Sequence, residues 1–203
     1  MAKITWKPGT LLAPVPPALV TSGTEDKPNV FTAAWTGIVC SNPPMTYVSI
    51  QPSRLSHGLI RDAGEFVINL PTEALAKATD LCGVKSGRDM DKFAAAGLTA
   101  QPSAKVAPPS IAECPVSLEC RVREVMPLGS HDMFLAEIVS VSVDDRYLDE
   151  KGALHLEKCG LLAYAHGAYF ALGKQLGTFG FSVRKKPLRR SPGARKAGKK
   201  SEK

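Results

Sequence analysis

No stretch of this 203-residue sequence approaches the run of about 20 apolar residues that a membrane-spanning helix needs. The N-terminal segment MAKITWKPGTLLAPVPPALV is broken by four prolines and has no continuous apolar core of signal-peptide type, so a cytoplasmic location is expected. The common nucleotide motifs are missing too. There is no G-x-G-x-x-G, and the run from Gly167 to Gln175 fails as a phosphate loop. Five residues separate Gly167 from Gly173 where four are required, and Gln175 stands where Ser or Thr would bind magnesium. Neither G-x-S-x-G nor H-E-x-x-H occurs. The five cysteines (Cys40, Cys82, Cys114, Cys120 and Cys159) contain no C-x-x-C and match no zinc spacing. Several lie in apolar runs, where free Cys behaves as a small hydrophobe, so they read as reduced core residues and no metal is expected. Any nucleotide site here must be of another kind.

Apolar residues make up 44% of the chain and charged residues 22%, ordinary values for a globular protein long enough to bury a sizeable core. The net charge of +7 is unevenly placed. Ten Lys or Arg and one acid, Glu202, lie between Arg184 and Lys203; removing them from the 26 basic and 19 acidic residues leaves 16 and 18, a net of −2. Such a Lys/Arg, Gly, Pro and Ser tail cannot bury apolar surface, which predicts a disordered extension. The tail would serve as a solubilising end or as a weak anchor for nucleic acid or acidic lipid, the former being the simpler. The expected organisation is therefore an extended lead-in over 1–17, one domain over 18–183, and the basic tail over 184–203.

Strand-like runs at Ala18–Ser22, Val30–Val39 and Met45–Ile50 are separated by a polar turn at 23–29 and by Asn42-Pro43-Pro44. Ser53 or Ser56 is placed to cap a short helix through Arg61 that Gly64 ends. Phe66–Leu70 reads as a buried strand, Pro71-Thr72 as the opening of a second helix to about Leu81, and Ser86–Ala96 as a polar loop plus a third short helix stopped by Gly97. Residues 99–115 form a Pro/Ser/Ala connection expected to lie over the surface. Val116, Leu118, Cys120 and Val122 then alternate with polar residues, the mark of a half-buried antiparallel strand, and Met133–Val143 forms another long one. Strands at both ends enclose a helical middle without β-α-β alternation. That argues for a mainly β (α+β) antiparallel barrel or sandwich with added helices.

The chemistry-bearing residues concentrate in Asn29–His57, where two strand-like runs lead to Ser53, Arg54, Ser56 and His57. Hydroxyls and a guanidinium at the end of a sheet suit a phosphate; a hairpin with a solvated polar exit accounts for the same pattern. His131, after Gly129-Ser130, stands at the entry to a long strand, facing a ligand or simply solvent. Trp35 fits either core packing or the side of a planar ligand. Tyr164 and Tyr169, with His166 and Gly167, suit core, a dimer seam or the wall of a flat ring. Asp89 and Asp91 alone are a weak cation signal.

Taken together, these segments resemble the flavin reductase-like family of FMN-binding split barrels, in particular its flavoredoxin-type branch, over roughly residues 8–175. The resemblance rests on Asn29–Gly37 with Asn42-Pro43-Pro44, Ser49–His57, Glu65–Leu70, Ser86–Phe93 and Gly129-Ser130-His131. It implies a homodimer of antiparallel split β-barrels with added short helices, each subunit holding one FMN near the interface. By position in matching motifs, Asn29, Trp35, Ser56, Lys92, His131 and Tyr164 become flavin contacts, with His131 the catalytic candidate. Backbone N–H groups across Thr32, Ala33, Ala34, Trp35 and Thr36 would meet the pyrimidine edge of the ring. Ser53 and Arg54 are phosphate candidates on chemical grounds, and Lys92 is expected as a donor near N1 or O2. Ser56 stands where Thr is more usual, and Ser130 replaces an Asp common before the His. The implied activity is that of an NAD(P)H-dependent flavin oxidoreductase drawing on NADH or NADPH and passing electrons to free flavin or a redox-protein acceptor. The alternatives are a pure FMN electron carrier and, in another class, a non-enzymatic module whose basic tail contacts nucleic acid.

Overall fold

Along Ala18–Gly23 (β1), Ala18 and Val20 turn to one side and Leu19 to the other, and all three are fully buried. Both faces of this strand are therefore covered, and that fact organises the molecule. The computed structural model describes residues 1–184. After β1 come Pro28–Ala33 (β2), Thr36–Ser41 (β3), Pro44–Ile50 (β4), helix Leu55–Ala63 (α1), Glu65–Leu70 (β5), helices Ala76–Val84 (α2) and Lys92–Ala96 (α3), and the short strands Ala100–Gln101 (β6) and Ser110–Ile111 (β7). The long strands Val116–Pro127 (β8) and Asp132–Val143 (β9) follow, then a hairpin of Leu162–Ala165 (β10) and Ala168–Ala171 (β11).

Seven strands form one sheet in the order β2-β1-β5-β8-β9-β4-β3, every pairing antiparallel. Its two edges, β2 and β3, are consecutive in the chain and joined only by Ala34 and Trp35. The sheet must therefore curl until its edges meet at that end, where the Ser49 amide donates to the Trp35 carbonyl at 2.9 Å. The result is the antiparallel split barrel with short helices that the sequence led us to expect. Its interior holds Ala18, Val20, Ala33, Val48, Phe66 and Phe134, and α1 contributes Ile60 to the same cluster. On the outer face of β1 and β2, Leu19 and Val30 pack against Ala78 and Cys82 of α2 and Phe93 of α3.

Three expectations change. The single strand over Val30–Val39 is two strands, because a continuous one would keep the chain on a single edge; the break at Ala34–Trp35 carries it from one edge to the other. The second helix starts later, at Ala76 after a 3-10 turn over Glu73–Leu75, and runs to Val84. The 99–115 connection is not a surface loop throughout: Ile111 is 1% exposed, and its amide donates to Asn69 Oδ1 at 3.0 Å. Gly64 ends α1 as expected, at φ 69°, a left-handed conformation that glycine adopts without steric penalty.

Met1–Leu172 form one compact unit and Gly173–Lys203 a second. The described part of the second holds one 3-10 turn, Phe181–Val183. Apart from Arg184, the basic tail lies outside the described residues. All five cysteines are free, four of them buried. Among the described residues, no helix is long and apolar enough to cross a membrane, and no His, Cys, Asp and Glu group is arranged to hold a metal.

Candidate functional site

As an edge strand, β2 leaves alternate backbone N–H and C=O groups without a strand partner on its outer side. A trough follows that free edge. Its floor is β2 and the Ala34–Trp35 turn; the start of α1 flanks it on one side, and α2 with the 85–88 loop on the other.

At one end lies a cleft of about 220 Å³ whose lining includes the hydroxyls of Ser53, Ser56 and Ser86 and the cations of Arg54, Lys85, Arg88 and Lys92, with no carboxylate. Arg54 is the N-cap of α1 and gives no side-chain cap; the His57 amide donates to the Arg54 carbonyl at 3.2 Å, and the Leu55 and Ser56 amides remain available to an anion. The Asn29 amide donates to Ser22 Oγ at 3.1 Å and Ser56 Oγ at 2.8 Å. Ser56 is thereby an acceptor within the protein and keeps its own proton for the cleft. Gly87 is required here: a Cβ at that position would overlap Asn29 Oδ1. Lys92, 5% exposed, donates to the carbonyls of Cys82 at 3.0 Å and Lys85 at 3.2 Å, closing the C-terminal end of α2. Burial holds its pKa below the ordinary lysine value; the Cys82 thiol opposes that shift and the Arg54 charge adds to it. Arg88 donates to the Ser53 carbonyl at 3.0 Å and so reaches across from the 85–88 loop to the start of α1.

At the other end the trough becomes aromatic. Trp35, 44% exposed, packs on His131 with ring centroids 4.3 Å apart at 44°. Ser130 Oγ lies 3.0 Å from His131 Nδ1. That contact fixes the orientation of the imidazole, the donor being set by the ring's tautomer. Tyr164 and Tyr169, centroids 5.2 Å apart, wall the opposite side together with Gly83 and Ala34. Thr32 joins the two ends: it lines both, and its hydroxyl donates to the Thr79 carbonyl at 2.5 Å, fastening α2 to β2.

A family model described as flavin reductase like domain matches residues 11–173. The chain belongs to that family. It is 41% identical over 140 residues to an uncharacterized protein of Archaeoglobus fulgidus, covering 69% of this chain and 78% of the other. Flavoredoxin of Desulfovibrio vulgaris (Miyazaki F) superimposes with a TM-score of 0.83 at 32% identity, covering 90% of this chain and 100% of that one. An FMN-binding protein from Thermus thermophilus does so with a TM-score of 0.72 at 28% identity, covering 88% and 98%. Membership of the flavin reductase like family supports a flavin-related redox role, and the likeness to an FMN-binding protein supports flavin binding.

The donor set fits such a group in this flavin reductase like chain: a carboxylate-free basic cleft suits a phosphate, and the aromatic slot suits a flat ring. Asn29, Ser53, Arg54 and Ser56 come together in the cleft, while Ala33, Ala34, Trp35 and His131 line the slot that opens from it. Tyr164 faces the same turn from the hairpin. Lys92, expected as a donor near N1 or O2, lines the basic cleft with Arg54, Lys85 and Arg88. The Ala33 side chain is buried in the barrel, so only its backbone is on offer. Thr36 is buried, with its hydroxyl donated to the Tyr47 carbonyl at 2.6 Å. Sequence reasoning missed Arg88, Lys85 and Ser86, whose only signal was membership of the charged 85–92 loop. It also missed the His57–Asp132 pair, Nε2 to Oδ2 at 2.8 Å, because 75 residues separate the partners.

Proposed function

We propose that the chain is an FMN-dependent oxidoreductase that takes hydride from NADH or NADPH and passes electrons to free flavin or a protein acceptor, working as a homodimer. The observation that carries this reading is the continuity, along the free edge of β2, between a carboxylate-free cleft with four cations and a slot walled by Trp35, His131 and Tyr164. Arg54, Ser53, Ser56 and the Leu55 and Ser56 amides of α1 hold the phosphate by charge-assisted hydrogen bonds. Backbone groups from Thr32 to Trp35 orient the ring's polar edge, and Trp35 and Tyr164 exclude water from its sides. When bound, the flavin supplies the redox chemistry, and the protein supplies binding, orientation and electrostatics. His131, its ring oriented by the Ser130 hydroxyl at Nδ1, lines the slot beside Trp35. The hydroxyl gives that imidazole direction without the charge a carboxylate would add.

A second reading, favoured by the likeness to a flavoredoxin, is a pure electron carrier that ignores nicotinamides. Purified protein mixed with FMN should turn yellow and quench flavin fluorescence; a chain that stays colourless with no quenching would sink both readings. Stopped-flow mixing with NADH and NADPH separates them, since only the reductase bleaches bound FMN rapidly.

A further inference from the structure

A separate cavity of about 420 Å³ lies beyond the aromatic end of the trough, between the N-terminal lead-in and the β10–β11 hairpin. It shares Trp35 and Tyr164 with the slot and adds Thr10, Leu11, Leu12 and His166, none of which the function proposed above uses. The lead-in is fastened there. The Val15 amide donates to the Tyr164 carbonyl at 2.9 Å, and the Tyr164 amide to the Val15 carbonyl at 2.8 Å. Leu11 and Leu12 nevertheless remain 55% and 89% exposed, apolar walls that the chain's own residues leave uncovered. Among the described residues of the lining, none brings a carboxylate, ammonium or guanidinium. The polar groups are the Thr10 and Tyr164 hydroxyls and the His166 imidazole. This is the reverse of the basic cleft: it suits a flat, uncharged molecule, and its volume lies within the range of small-molecule sites.

His166 stands in a backbone conformation that side chains disfavour. Ala165 pairs with Ala168, so His166-Gly167 is a two-residue hairpin loop, with φ of 49° and 89°. Positive φ at both positions marks a type I′ turn, whose first place goes to Asn, Asp or Gly. Among the described residues, His166 is the only one besides glycines with positive φ. Asn would serve the turn at least as well, so the turn does not account for the imidazole. Its place in the cavity beside Trp35 does. We propose that this cavity takes the electron acceptor, a flat uncharged quinone, and that His166 is the proton donor to one of its carbonyl oxygens. The proposal rests on the flavin reading of the adjoining slot. A quinone has an apolar frame for Leu11 and Leu12 and a carbonyl at each end, which matches an imidazole on one side and hydroxyls on the other. Two electrons and one proton pass to the quinone from the reduced flavin, which is oxidised. The second proton leaves the His166 imidazolium, whose N–H bond breaks as an O–H bond forms on the quinone oxygen. The product is the hydroquinone, and solvent returns a proton to the imidazole.

The test uses the full chain, a Leu12→Glu variant that puts a charge in the apolar wall, and a His166→Asn variant that keeps the turn. The probe is 2,3-dimethyl-1,4-naphthoquinone, which has no open quinone-ring position for a cysteine thiol to attack. Calorimetry on flavin-free protein measures its binding, with 1,4-naphthoquinone-2-sulfonate as the charged comparator. Anaerobic stopped flow on FMN-loaded, photoreduced protein then measures how fast the quinone reoxidises the flavin, with no nicotinamide present. Leu12→Glu should weaken quinone binding about tenfold. His166→Asn should bind the quinone about as the parent does and reoxidise about a hundredfold more slowly, the scale of a lost proton donor. Binding that Leu12→Glu leaves unchanged, or equal binding of the sulfonate, overturns the cavity as the quinone site. Reoxidation of His166→Asn at the parent rate overturns the role of His166. A parent that binds no quinone while Leu12→Glu lowers its mass by light scattering assigns the wall to a second copy and overturns the proposal. Failure to retain FMN overturns the flavin reading instead, and quinone binding that Leu12→Glu weakens in flavin-free protein then supports the cavity by itself.

Discussion

Arg54 sits where the two halves of the trough meet, lining both the basic cleft and the aromatic slot, and its guanidinium makes no hydrogen bond or ion pair with another described residue. A cation with no internal partner, at an uncapped helix start, is available for an anion. Arg54→Ala should therefore weaken FMN binding by about 1.5–3 kcal/mol, roughly ten- to a hundredfold in Kd. Fluorescence titration reads the change, and unaltered FMN affinity in that variant would remove Arg54 from the phosphate site. Lys92 is a different kind of cation: buried, bonded to two carbonyls, and held below the ordinary lysine pKa chiefly by desolvation. Between its lowered folded pKa and 10.5, the unfolded chain retains a proton that the folded lysine has released. The unfolded state then binds more protons, so stability contributed by this group rises with pH through that window and is lowest below it. Lys92→Met abolishes the titration. Its stability relative to the parent should be more favourable at pH 7 than at pH 10.5, as read from urea unfolding at the two values; a pH-independent difference would contradict the assignment.

At the scale of elements, α1 is anchored by His57, 8% exposed at its side chain, to Asp132, the first residue of β9, 18% exposed. The pair sets the start of α1, which carries Arg54 and Ser56, against the start of the strand next to His131. Asp132→Ala leaves a buried imidazole nitrogen without its partner and should cost about 1–3 kcal/mol of stability. It should also lower FMN affinity severalfold by loosening the helix start, whereas Asp132→Asn keeps a hydrogen-bond acceptor and should retain most of both. Equal losses in the two variants, by thermal unfolding and FMN titration, would argue against the clamp. This pair also marks the limit of what was legible in the sequence. The half-buried β8 expected from its alternation is instead covered on both faces at its start, where Ser117 and Glu119 are buried and the 104–105 amides donate to the Glu119 carboxylate. The existence of β8 and the helix stops at Gly64 and Gly97 could be read directly, because each depends on local residue chemistry. The break at Ala34–Trp35 could not, since Val30–Val39 is uniformly strand-like and only closure of the sheet forces the turn. The phosphate candidates Ser53 and Arg54 were legible because they are consecutive. Arg88, Lys85 and Lys92 reach the same cleft only through the packing of α2 and α3 against β2.

For the whole molecule, the aromatic end of the trough is its least enclosed part, and apolar side chains stand exposed on the edge strand that adjoins it. Ile38 and Val39 of β3 are 66% and 51% exposed, beside a break in the strand register between Ile38 and Cys40. An unpaired apolar edge is a ready template for another chain. A second copy of this protein is the partner proposed for it, and burying that edge would also shield Trp35, which directly precedes that strand. Light scattering on the purified protein should give twice the single-chain mass. Ile38→Lys places a charge on the edge and should shift the protein towards monomer on dilution, with folding intact because the side chain contributes nothing to either core cluster. If the second copy closes the slot, the same variant should release FMN more readily, since water then reaches the flavin from the open side. A parent chain that scatters as a monomer while retaining FMN would show that the trough is complete in one subunit and that the apolar edge serves some other contact.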